Sequence, residues 1–271
     1  MIKSILLYLF VFALASLSVW QSDVLGWLFP IALMGVLPAG ALWLWHHEGR
    51  NFGDLGFKYW QERKMDFLWG ALAGLVVPQL VTTLLLVLGF ITITGAKWPV
   101  SLFVGVLGGI ALGLVKTAIM VFIEELVFRG FYIQTLGNKI NWSVLASSVM
   151  FGTLHIPTMV KSGLSVMPML IGVISFSMLG FALGLSFVRT GRSLNLPMGL
   201  HFGYNLGYSS LLFVLSAVKG QPLMIEHLGK PWLIGQSPWT PETGVIGILV
   251  MLLFTGCVLF ITTLPVMKKT P

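Results

Sequence analysis

Residues 103–130 read FVGVLGGIALGLVKTAIMVFIEELVFRG. An apolar run of this length is what a bilayer core requires, since about 20 apolar residues in a helix cross roughly 30 Å of hydrocarbon. At its end stand two adjacent carboxylates and an arginine: Glu124, Glu125 and Arg129. The apolar part bears on the fold class and the charged end on the chemistry.

The rest of the chain has the same character. Of its 271 residues 56% are hydrophobic and 9% charged, with a mean hydropathy of +0.93. A soluble domain carries about 25% charged residues, so this chain cannot cover a water-exposed body of its size. Disorder, a disulfide scaffold and nucleic-acid binding are excluded together. The single cysteine, Cys257, lies in an apolar run and cannot form an internal bridge. Eight spans are predicted, at about 4–20, 24–45, 67–93, 99–123 with a helical extension to about 135, 142–156, 164–188, 194–218 and 244–266. The expectation is an all-α, polytopic membrane protein, a single transmembrane domain over 1–271 with its motif-bearing core at about 99–218. The N-terminus is read as a retained first span, because no small-residue cleavage site precedes Gln21-Ser22-Asp23.

The net charge of +7 acquires meaning from its placement. With the N-terminus inside, the cytoplasmic side receives Lys3, Arg50, Lys58, Arg63, Lys64, Arg129, Lys139, Arg189, Arg192, Lys268 and Lys269. Lys97, Lys161, Lys219 and Lys230 fall on the other side, and Lys116 stays within a span. By the positive-inside rule both termini are cytoplasmic, in what is read as a prokaryotic cell membrane. Residues 46–66 mix charges with aromatic side chains and are expected to lie on the interface. Glycines four apart recur as Gly70/Gly74, Gly105/Gly109/Gly113, Gly180/Gly184 and Gly199/Gly203/Gly207, a spacing read as close internal helix packing.

Ionisable groups inside spans are costly and usually functional. Successive helical residues turn by about 100°, so Glu124 and Glu125 face apart. Glu125 and Arg129 form an i,i+4 pair in the favoured order, which leaves Glu124 to find a partner on another helix. His155, at the end of the fifth span, is as far from the turn near Asn138–Asn141 as Glu124 is. In an antiparallel hairpin the two residues share a depth and are expected to meet. The seventh span adds His201 and Asn205, again i,i+4 and on one face. The three helices are expected to present Glu124, His155, His201 and Asn205 to one polar cavity open to the cytoplasm. A carboxylate beside a histidine can take a proton from water, and imidazole and amide donors can stabilise an oxyanion. Glu with two His is also a zinc ligand set, so metal-assisted hydrolysis is the alternative. The chain has no His-Glu-x-x-His, no Gly-x-Ser-x-Gly and no Gly-x-Gly-Asp.

Glu124-Glu125-x-x-x-Arg129, Phe151-x-x-x-His155 and His201-x-x-x-Asn205, in that order, resemble the motifs of the CAAX protease and bacteriocin-processing (Abi) family of intramembrane endopeptidases. Gly191-x-Ser193-Leu194-x-x-Pro197 is similar to the family's approach to its third motif. The resemblance implies that Glu124 and His155 activate the attacking water, that His201 and Asn205 bind the oxyanion, and that Glu125 and Arg129 support the site. The resemblance leaves open a metalloprotease or a glutamate mechanism; the glutamate mechanism, with no required cofactor, is favoured because the Asn205 amide beside His201 suits an oxyanion donor better than a zinc ligand, a divalent metal such as zinc being the alternative. The implied partners are membrane lipids and a membrane-tethered protein or peptide substrate, prenylated in the eukaryotic relatives. Two competing readings are a non-catalytic scaffold or bacteriocin self-immunity protein, and a proton-coupled transporter, the latter weakened by the absence of internal repeats.

Overall fold

The computed structural model of the protein describes residues 1–17, 28–94, 103–137, 139–216, 224–227, 230–236 and 242–263. In chain order they form α1 (Ile2–Leu17), α2 (Leu28–Ile31), a π turn (Ala32–Val36), α3 (Leu37–His47), a 3-10 turn (Phe52–Leu55) and α4 (Lys64–Val87). Strand β1 (Ile91–Thr94) and α5 (Phe103–Glu125) follow, and α5 runs into a π segment (Leu126–Tyr132) and α6 (Ile133–Thr135). The chain continues through α7 (Ile140–Thr153), α8 (Ile156–Lys161), α9 (Val166–Arg189), α10 (Asn195–Ser216), β2 (Met224–His227), α11 (Pro231–Ile234) and α12 (Val245–Ile261).

Among the described residues three helical stretches are long and apolar enough to cross a membrane: Lys64–Val87, Ile140–Lys161 and Val166–Arg189. Ile2–Leu17 and Val245–Ile261 are shorter apolar helices. The predicted positions of Lys97, Lys219, Lys268, Lys269, Asn138 and Gln21-Ser22-Asp23 lie outside the described residues. The all-α class expected from the sequence holds, with one short antiparallel pair among the described residues, β1 and β2, in which Ile91 lies opposite His227. One expectation needs correction. The fifth predicted span does not stop at 156. Pro157 sits in the first turn of α8, where its missing N–H costs no hydrogen bond, so the helix restarts and runs to Lys161.

The glycine stripes explain how the helices that carry the site come together. α4 and α10 interlock: a Cβ at Gly70 or Gly74 would collide with the backbone of Leu196 or Leu200. In return, a Cβ at Gly199 or Gly203 would collide with the backbone of Phe67 or Ala71. α7 and α9 meet in the same way, Gly152 against Val173 and Ser177, Gly180 against Ser148. These stripes are internal contacts, as expected. Gly113 differs, since nothing among the described residues lies within 4 Å of a Cβ placed there.

Residues 46–66 do not simply rest on a surface. Leu55, Arg63 and Asp66 are buried, Trp45 donates from Nε1 to Asn51 O at 2.8 Å, and Arg63 pairs with Asp66 at 3.5 Å. Phe52 and Met65 remain exposed. The segment is docked on the bundle through its inner side chains and keeps an apolar outer rim.

Candidate active site

Glu124 and Glu125 close α5, and the chain then widens into the π segment that holds Arg129. A π segment bonds i to i+5 and occurs frequently at functional sites. Its carbonyls find side-chain donors here: Ser147 Oγ donates to Phe128 O at 2.6 Å and Gln134 Nε2 to Gly130 O at 2.7 Å. The Phe128 and Phe151 rings meet edge to face at 5.2 Å. Phe128 and Phe151 are equidistant from the turn, in the same register that the sequence assigned to Glu124 and His155.

The pairing expected from the helical wheel is present. Arg129 Nη1 lies 3.1 Å from Glu125 Oε1, both residues being fully buried. Arg129 also donates from Nη2 to Gly180 O at 3.3 Å, and its guanidinium lies 4.7 Å from the Phe151 ring centre. The same Glu125 oxygen takes a second bond that sequence reasoning missed, from His201 Nδ1 at 2.7 Å. The other ring nitrogen of His201, Nε2, lies 3.6 Å from Glu124 Oε2. Glu124 therefore finds its partner on another helix, and that partner is His201 on α10 rather than His155. Glu124 is 5% and His201 2% exposed, so the pair is nearly sealed from the surface.

His155 stands at the break between α7 and α8. Its Nδ1 bonds Phe151 O at 2.9 Å, and its ring stacks on Phe176 at 4.3 Å. The Phe151 ring touches both histidines edge-on, at 5.1 Å from His155 and 5.8 Å from His201. Asn205 is half-buried one turn beyond His201, without a hydrogen-bond partner among the described residues. Its neighbour Tyr204 donates to Glu242 at 3.4 Å, which brings a buried acid from the chain just before α12 against α10. Lys116 is exposed and makes no ion pair with either glutamate among the described residues.

This geometry constrains protons. If Nδ1–H of His201 is given to Glu125, Nε2 and a Glu124 carboxylate would face each other lone pair to lone pair. A proton on one of the two groups removes that repulsion. It also leaves two carboxylates balanced by Arg129 and the proton, the neutral sum that a low-dielectric interior favours.

Residues 96–207 match the family model of type II CAAX prenyl endopeptidases, Rce1-like. This part of the chain is similar to the CAAX prenyl proteases. No curated protein and no solved structure matches the chain significantly. The Rce1-like segment begins before α5 and ends two residues after Asn205, so it contains every residue of the three motifs. Rce1-like proteins are generally peptidases, and with the three apolar helices the match marks an integral membrane protein.

Among the described residues no three His, Cys, Asp or Glu side chains are grouped to hold a metal. His201 Nδ1 and Glu125 Oε1 are already committed to each other. The Arg129 contacts are the site's main structural investment. Arg129→Ala leaves Glu125 buried with one counter-charge fewer, a loss of about 3–5 kcal/mol for a broken buried pair. Chemical unfolding in micelles is expected to show a loss of that size, and Arg129→Lys a smaller one because it keeps the charge.

Proposed function

We propose that the protein is an intramembrane endopeptidase of the CAAX prenyl protease type, acting on a membrane-tethered protein or peptide near the cytoplasmic face. The eight-span arrangement, a prokaryotic cell membrane and cytoplasmic termini belong to the same proposal. The observation that carries it is the pairing of Glu124 with His201 Nε2 at 3.6 Å, while Glu125 holds Nδ1 of the same ring. In this reading Glu124 takes a proton from water as the oxygen attacks the peptide carbonyl carbon. His155, fixed by its bond to Phe151 O, assists that step, as the family resemblance implies. The His201 Nε2–H and the Asn205 amide stabilise the oxyanion, and the proton passes to the leaving amine as the C–N bond breaks. Glu125 and Arg129 orient His201. No step uses a metal.

The test is cleavage of a lipid-anchored peptide by the purified protein in liposomes, read by mass spectrometry. Wild type is expected to cleave, and to keep cleaving after exhaustive chelation. Asn205→Ala is expected to lower kcat by about 10²–10³-fold, the scale of one oxyanion donor. His155→Ala is expected to lower it by about 10²–10⁴-fold, as for a lost acid-base group. Full activity in both variants overturns the assignment, and loss of activity on chelation overturns the metal-free mechanism.

One observation favours a second reading. The Glu125–Arg129–His201 network is buried throughout and ties α10 to the acidic arm, the end of α5 with the π segment and α6, as a non-catalytic scaffold or self-immunity protein would require. That reading predicts no cleavage of any peptide and partner binding that falls in step with stability in the same variants.

A further inference from the structure

Residues 51–63 lie outside the family-matched segment, yet they lie across both arms of the site. On the acidic arm, Gln134 Nε2 donates to Asp54 O at 2.9 Å, and Leu55 O closes on Gly130 so tightly that a Cβ would not fit. The Phe57 ring packs 5.8 Å from Phe122, two residues before Glu124. On the histidine arm, Leu194 N donates to Gly56 O at 3.1 Å and Asn195 Nδ2 to Trp60 O at 2.8 Å. Arg63 Nη1 donates to Thr190 O at 2.6 Å. Gly56 holds φ +117°, a left-handed conformation that suits glycine, and a side chain there would strike Leu194 and the Arg192 carbonyl.

We propose that this strap is a positioning clamp: it fixes the start of α10 against the acidic arm, with Arg63 and Asn195 as positioning residues that act through His201. His201 lies six residues beyond Asn195, about 9 Å along a rigid helix, so a shift at the helix start is carried to the imidazole. A misplacement of about 1 Å can cost a catalytic site roughly 10²-fold. The clamp rests on the peptidase reading for its catalytic consequence but not for its geometry.

The experiment uses the full chain in bilayers with ¹⁵N-histidine, His201 being assigned by loss of its signals in His201→Gln. Two quantities are read: the Nδ1 hydrogen-bond signature of His201, and kcat and KM on the tethered peptide. Arg63→Ala is expected to lose the signature and to lower kcat about 10–100-fold with KM within about twofold. Arg63→Lys, which keeps a donor for Thr190 O, restores most of both. Asn195→Ala leaves the Arg63–Asp66 pair intact and shifts both readouts in the same direction, and it decides the matter if Arg63→Ala does not fold. An unchanged His201 signature in the folded Ala variants overturns the clamp. A changed signature in a protein that cleaves nothing supports the clamp and overturns the peptidase reading.

Discussion

Glu124→Gln abolishes peptide cleavage, by at least about 10³-fold, while the protein stays folded. The expectation follows from the different positions of the two glutamates. Glu125 holds two fixed bonds, at 2.7 Å to His201 and 3.1 Å to Arg129. Glu124 faces His201 Nε2 at 3.6 Å, too far for a hydrogen bond and close enough for a water to touch both groups. A glutamine at 124 keeps the shape and removes the base, so the melting temperature changes little. A glutamine at 125 removes the charge that balances Arg129 and the acceptor that orients His201. It lowers activity and stability together, the latter by about 3–5 kcal/mol. Cleavage assays and thermal unfolding of both variants in the same lipid check the contrast. Wild-type activity in Glu124→Gln, or unfolding of Glu124→Gln alone, would exchange the assigned roles.

That contrast also marks what the sequence could disclose. Glu125 and Arg129 were legible as a pair because i,i+4 spacing is local, and their contact survives the π segment that holds Arg129. The freedom of Glu124 from that local pair followed from the same rotation. Which histidine it would face did not. The hairpin register puts His155 at the right depth, but depth does not set rotation about a helix axis, and α10 brings His201 to Glu124. The second bond of Glu125 was hidden for the same reason. Residues 51–63 were read by their surface chemistry, which is real on the outer side at Phe52. Their hydrogen bonds with 190, 194 and 195 join positions more than 100 residues apart and leave no periodic trace. The strands were missed because each has only four residues, too few for an alternation to stand out in an apolar chain.

Gly203→Leu prevents accumulation of folded protein, and Gly113→Ala does not. Both glycines belong to stripes of the same spacing, and only the surroundings separate them. A Cβ at Gly203 would overlap the backbone of Ala71, and one at Gly199 the backbone of Phe67. Backbone carbonyls in a packed helix cannot rotate aside as a side chain can. The pair of helices must separate, which forfeits the contacts that drive association in a membrane, where close van der Waals packing replaces the hydrophobic effect. Overpacking a tight core costs about 1–3 kcal/mol or more, and the α4–α10 contact would lose its reciprocal partners at Gly70 and Gly74 as well. Among the described residues Gly113 has open space at its Cβ position, so alanine there gains roughly 0.8–1 kcal/mol of helix propensity without a collision. The readout is the monodisperse fraction on size exclusion and the melting temperature of that fraction. Gly203→Ala supplies the graded middle case: it adds only the Cβ, and its melting temperature is expected to fall between wild type and the leucine variant. Because α10 also carries His201 and Asn205, any Gly203→Ala protein that remains folded should lose activity in excess of its loss of stability. A folded and fully active Gly203→Leu protein would show that α4 and α10 do not pack through these glycines.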